Sequence, residues 1–252
     1  METRLKTSNP AFASGTFTGT AQHAGYGQSM TISGTVNKAG ILMLCVLATA
    51  AWTWSQFWTN HDMAAVGGYT MVGAFGGFIV AMVTIFKKEW APVTAPIYAL
   101  LEGLFLGALS ATMEMRFPGI AIQSVALTFG TCFAMLLAYR SGLLRATPRF
   151  TVGIIAATGG IMLVYLASMI LGFFHVQVPG IFGSGPIGIL FSLAVVVIAA
   201  LNLILDFSFI EDGAAHGAPK YMEWYSAFGL MVTLIWLYLE IVRLLSKLNS
   251  RR

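Results

Sequence analysis

The sequence predicts an all-α polytopic membrane protein, a bundle of seven transmembrane helices, and three observations carry that prediction. Of 252 residues, 57% are hydrophobic and only 10% charged, too few polar side chains to coat a soluble globule of this size. The mean hydropathy is +0.78. Seven apolar runs recur along the chain, each close to the roughly 20 residues that a helix needs to cross hydrocarbon at 1.5 Å per residue. Short connections between them leave no room for a second folded domain.

Residues 1–35 are rich in Ser, Thr, Gly and Ala and hold no apolar run. A polar flexible N-terminal tail is therefore expected, followed by a transmembrane domain over 36–252. No basic segment, short apolar stretch and small-residue cleavage site opens the chain, so no secretory signal peptide is expected. The spans are expected at 39–58, 64–86, 94–115, 119–139, 151–174, 186–209 and 225–245. Glycines recur four apart at Gly73 and Gly77 on the second span and at Gly103 and Gly107 on the third, which lets helix backbones approach closely in lipid. Pro92 and Pro96 suit the start of the third span and Pro186 the first turn of the sixth, where a missing N–H costs nothing. Trp52, Trp54, Trp58, Trp90, Trp224 and Tyr225 fall near span ends, as interfacial aromatics do. Cys45 and Cys132 lie inside spans with no CxxC pair or Cys/His cluster beside them, and read as packing residues.

The net charge of +4 is more informative as topology than as nucleic-acid affinity, since no basic block with interleaved aromatics exists. Arg4, Lys6, Lys38, Lys87, Lys88, Arg140, Arg145, Arg149 and Lys220 all fall on the N-terminal side of the spans. Basic residues on short loops prefer the cytoplasm, which puts the N-terminus there and the chain in the cell membrane. Seven crossings then leave Arg243, Lys247, Arg251 and Arg252 outside. Either the first six spans fix the orientation and the last helix tolerates its charges, or one of the last two segments re-enters from the cytoplasm. Non-crossing backbone at that depth is allowed only where it is buried in protein or lines a wet cavity.

Three acids lie in or at the edges of spans: Glu102, Asp206 and Glu240. A carboxylate at the centre of a bilayer costs about 2.5–3.5 kcal/mol even on insertion scales. Arg243, three residues after Glu240, is its candidate charge partner. Acids that share a proton titrate as a coupled pair, so a network of the three would serve as a proton sensor and ion path. The plainer alternatives are that Asp206 caps a helix end at the interface, Arg243 neutralises Glu240, and Glu102 hydrogen-bonds a neighbouring helix as a protonated acid. The loop 210–224 carries Glu211, Asp212, His216, Lys220 and Glu223 in a spacing that matches no EF-hand. It reads as a solvated loop, with a cation-attracting vestibule or docking surface as the other reading. No spacing designates a metal site, and no resident cofactor is expected.

At three places the residues resemble the Bax inhibitor-1 (transmembrane Bax inhibitor motif) family, in particular its bacterial branch. Glu102-Gly103 with Leu106-Gly107 is similar to the family's Glu-Gly motif on the third helix. Asp206-Phe207 with Ile210-Glu211 is similar to the acidic motif ending the sixth, and Leu237-Tyr238-Leu239-Glu240 with Arg243-Leu244-Leu245 to the seventh-helix signature. The resemblance covers about residues 39 to 248. It implies a bundle with a central last helix that acts as a pH-sensitive calcium leak channel, Ca²⁺ being the transported ion and Asp206 and Glu240 sharing a proton. For bacterial relatives it also implies a membrane protein partner such as a quality-control protease.

Two departures stand out. Glu240 replaces the family's usual Asp, and residues 64–86 contain no Lys or Arg that could latch the path. Depth is a further difficulty: Asp206 is expected a few residues before the end of its helix, whereas Glu240 is expected about 15 residues into the next, about 22 Å at 1.5 Å per residue. Tilt, a late helix start or unwinding at Asp206 would be needed to join them. An intramembrane enzyme is not expected. Ser168 and His175 lie in no nucleophile motif, and the two acids lack the Gly-x-Gly-Asp context of aspartyl types. Beyond the lipid bilayer itself, no feature designates a partner or an oligomeric state.

Overall fold

The computed structural model describes residues 29–60, 63–174 and 180–251. A chain this apolar must satisfy its backbone N–H and C=O groups within its own segments, and helices do so. The helices are α1 Ile32–Asn60, α2 Met63–Phe86, α3 Ala91–Arg116, α4 Ile120–Arg140, α5 Pro148–Phe173, α6 Pro186–Ala215 and α7 Met222–Asn249. Among the described residues these seven helices are long and apolar enough to cross a membrane. Each expected span lies within one residue of its helix. The fold is therefore the all-α seven-helix membrane fold that the composition predicts, and α7 has the largest buried share of the seven, 56% against 6% for α5.

Differences fall at the polar helix ends. α1 starts at Ile32 and carries Lys38 in its second turn, and α6 runs on through Glu211 and Asp212 to Ala215. Charged residues lower hydropathy without breaking a helix, so apolar runs understate helix length. The loop expected over 210–224 is corrected accordingly: residues 210–215 end α6, 222–224 begin α7, and Glu223 is buried rather than solvated. Neither α6 nor α7 is broken along its length: they are continuous helices of 30 and 28 residues. Of the expected tail, residues 1–28 lie outside the described residues, as does His175. The described part, 29–35, is already fixed: Ser29 pairs with Pro219 in an isolated antiparallel bridge, Met30 N–H donates to the Ala218 carbonyl at 2.6 Å, and α1 follows.

Contacts divide the chain into two compact units. One comprises Ile122–Ser208 with Thr233–Arg252, the other the described part of Gly15–Ala121 with Phe209–Val232, so that α6 and α7 contribute to both. In the second unit, glycine sets the packing. A Cβ on Gly103 would collide with Val46 and Thr49 of α1, and one on Gly107 with Ala50. A Cβ on Gly73 would stand 2.6 Å from the Leu101 carbonyl and 2.7 Å from the Phe105 nitrogen of α3. The spacing of four thus brings α1 and α2 against α3, as small residues do where lipid supplies no hydrophobic drive between helices.

In the first unit, α5 and α6 are tied by Asn202 Nδ2, which donates to Thr158 Oγ1 at 2.9 Å. The Tyr139 and Phe207 rings lie 5.9 Å apart between α4 and α6. Large apolar side chains such as Phe75, Phe78, Ile79, Leu163 and Phe173 stand exposed. Such coverage suits hydrocarbon and would be an aggregation hazard in water.

Candidate functional site

Asp206 is wholly buried, at 0% exposure. Nine residues of α6 follow it, about 13 Å of helix, so Asp206 does not cap the helix end. Asn202, one turn earlier on the same helix, is 2% exposed. The neighbours of Asp206 in sequence, Leu203, Ile204 and Leu205, are buried apolar side chains.

Glu240, on α7 in the same unit, is also buried, and its partners are explicit. The Tyr165 hydroxyl of α5 is 3.0 Å from both carboxylate oxygens. Arg243 Nη1 donates to Oε1 at 2.7 Å and to Oε2 at 2.9 Å, and also reaches the Tyr165 oxygen. The guanidinium lies 4.9 Å from the Tyr165 ring centroid, within cation–π range. Arg243 keeps 40% of its side chain exposed against 2% for Glu240, so the cation closes the carboxylate from its outer side. The 240–243 spacing puts the pair on one face of α7. Glu240 lies 18 residues past the start of α7, about 27 Å, while Asp206 is about 13 Å from the end of α6. These are distances counted along each helix from the end nearest the α6–α7 connection.

Glu102 belongs to the other unit. Tyr98 lies one turn earlier on the same helix, and Gly77 of α2 leaves room for the carboxylate, since a Cβ there would stand 2.9 Å from its Oε1. The Glu-Gly motif and the second-span glycines thus fit one another across the α2–α3 contact.

Two clusters escaped the sequence reading. In the second unit, Glu223 in the first turn of α7 is 0% exposed. Lys220 Nζ stands 2.7 Å from its Oε1 and Lys38 Nζ 2.8 Å from its Oε2. Thr31 gives Oε1 both its N–H, at 3.0 Å, and its hydroxyl, at 2.8 Å. Thr31 Oγ1 also caps α1 by accepting the Gly34 N–H at 2.9 Å, so Glu223 sits at the electropositive end of α1. Gly34 is bare because any Cβ would overlap that carboxylate. In the first unit, Lys247 is 6% exposed and donates to the carbonyls of Ile181 and Gly188, each at 3.0 Å, and to Ser192 Oγ at 2.8 Å. The signal for the first cluster was a lysine, Lys38, bordering an apolar run and needing an acid. Among the described residues, no three of His, Cys, Asp or Glu converge as a metal-binding group.

A family model described as Bax inhibitor 1 like matches residues 9–250 of the chain. No curated protein and no solved structure matches it.

Proposed function

The chain belongs to the Bax inhibitor 1 like family, and from that membership we propose that it is a pH-sensitive leak path for calcium and other cations in the cell membrane. Asp206 is its cation-facing carboxylate and Glu240 its proton-sensing one, and Glu102 of the Glu-Gly motif is the third acid. The observation that carries this reading is Asp206, a wholly buried carboxylate inside a helix apolar enough to cross a membrane. A side chain kept there against a desolvation cost of several kcal/mol is worth keeping only if its charge is used.

Glu240 supplies the regulation. Its two oxygens are taken by Arg243 and Tyr165, so an arriving cation must displace an arginine. Protonation removes the negative charge that holds Arg243 and loosens the latch, so leak rises as pH falls. Glu240→Gln keeps the shape and discards the charge. In proteoliposomes this variant should leak calcium faster than the wild type, with little dependence on pH. A variant whose pH response superimposes on the wild type's would count against the latch.

The proposed orientation keeps the N-terminus cytoplasmic. Its support is the distribution of Lys and Arg, together with the internal partners of Arg243 and Lys247, which leave fewer unsatisfied charges on the far side. The cargo is calcium or another cation, and no resident cofactor is part of the proposal.

A second reading is a non-enzymatic regulator that binds another membrane protein, such as a quality-control protease. It draws support from the attachment of residues 29–31 to Ala218, Pro219 and Glu223, which fixes where the polar segment 1–28 joins the fold. Removing residues 1–28, while retaining 29–35, should abolish regulation of such a partner and leave flux intact, as read by partner activity in cells beside liposome flux. Regulation that survives the truncation would argue against this reading.

A further inference from the structure

The Lys247 ammonium has three N–H donors, and three oxygens receive them: the Ile181 and Gly188 carbonyls and the Ser192 hydroxyl. All three oxygens are neutral. Burying an ammonium costs several kcal/mol unless its donors are met, so the cage is complete for the charge it holds, without a carboxylate in it. Converging carbonyl and hydroxyl oxygens are also what replaces the water shell of a monovalent cation. Attraction to a helix end does not account for the placement, because Gly188 and Ser192 lie in the first two turns of α6, the electropositive end.

The surrounding chain is shaped to present these carbonyls. Gly180 has φ +87°, a left-handed conformation that glycine adopts without penalty. Gly188 has no room for a Cβ because the carbonyls of Gly183 and Gly180 crowd it. Ser184 Oγ and Ser250 Oγ, 2.7 Å apart, fasten the same segment to the residues just beyond α7. Lys247 follows Glu240 and Arg243 at a spacing of three and then four residues, on one face of α7.

We propose that Lys247 is a tethered cation: its ammonium occupies an oxygen site that a monovalent cation takes when the lysine withdraws, and it thereby blocks the end of α7 beyond the Glu240–Arg243 latch. The blocking role rests on the leak-path reading above, whereas the oxygen site does not. Lys247→Ala removes the tether and leaves the cage. Propylammonium, which restores the missing segment, is the probe, and tetramethylammonium, a cation without N–H donors, is the control. Full-length Lys247→Ala in detergent should gain thermal stability with propylammonium and not with tetramethylammonium, and the wild type should respond to neither. In liposomes, Lys247→Ala should leak monovalent cations several-fold faster than wild type, and propylammonium should return the leak toward the wild-type rate.

Where Lys247→Ala does not fold without the probe, Ser192→Ala, which keeps the ammonium and deletes one acceptor, should show a smaller rise in leak. No ammonium-specific stabilisation would overturn the cation site. Stabilisation with Lys247→Ala leaking at the wild-type rate would overturn the block. Stabilisation with no flux through any protein at any pH would retain the site and overturn the leak-path reading and the block with it.

Discussion

Asp206→Asn is expected to cut calcium flux through the reconstituted protein at least tenfold while leaving the helices in place. Asn is isosteric with Asp and can keep hydrogen bonds in the surroundings that Asn202, one turn earlier, already shares with Thr158. What it removes is the charge. A unit charge acting on a cation about 4 Å away at an effective dielectric near 20 is worth on the order of 4 kcal/mol per charge, and roughly 1.4 kcal/mol is a factor of ten. Even a third of that attraction therefore yields a tenfold loss, and a divalent ion loses more than a monovalent one. Calcium uptake into liposomes beside a far-UV spectrum reads both quantities. Undiminished flux in a folded variant would remove Asp206 from the path.

Glu223→Ala is expected to be the most destabilising change in the second unit. It strips one oxygen of Lys220 and of both the N–H and hydroxyl of Thr31, and the other of Lys38. Breaking a buried ion pair by deleting one partner costs about 3–5 kcal/mol. Lys38 and Lys220 remain 21% and 50% exposed, so the lower end applies. About 3 kcal/mol in a chain of this size lowers the unfolding midpoint by on the order of 6–12 °C. Glu223→Gln, which can keep the oxygen that accepts from Lys220 and Thr31 and loses the charge, should fall between. A thermal melt in detergent separates the three proteins, and an unchanged midpoint for Glu223→Ala would mean that the cluster holds nothing together.

The helices were legible because their signal is one of composition along the chain: runs such as Val72–Phe86 announce a membrane-crossing length without any knowledge of neighbours. The four-apart glycines were legible for a similar reason, since Gly103 and Gly107 can only matter on one helix face. Glu223 was not. Its partners Thr31 and Lys38 lie about 190 residues away in sequence, and nothing local distinguishes a buried acid at the first turn of α7 from the solvated acids Glu211 and Asp212. Lys247 was hidden in the same way, because its three acceptors are two backbone carbonyls and a serine, and carbonyls carry no sequence signature. Arg243 was readable beside Glu240 because three residues is a helical neighbour. Tyr165, which completes that cluster from another helix, was not.

Calcium and proton flux in liposomes as a function of pH, with wild type beside Asp206→Asn and Glu240→Gln, tests most directly whether the carboxylates of α6 and α7 carry and gate a cation path. The expected result is a wild-type leak that rises toward acid pH, a leak largely lost in Asp206→Asn at every pH, and a raised, nearly pH-independent leak in Glu240→Gln. Absence of flux in the wild type across the pH range, or equal flux with equal pH response in all three proteins, would contradict it.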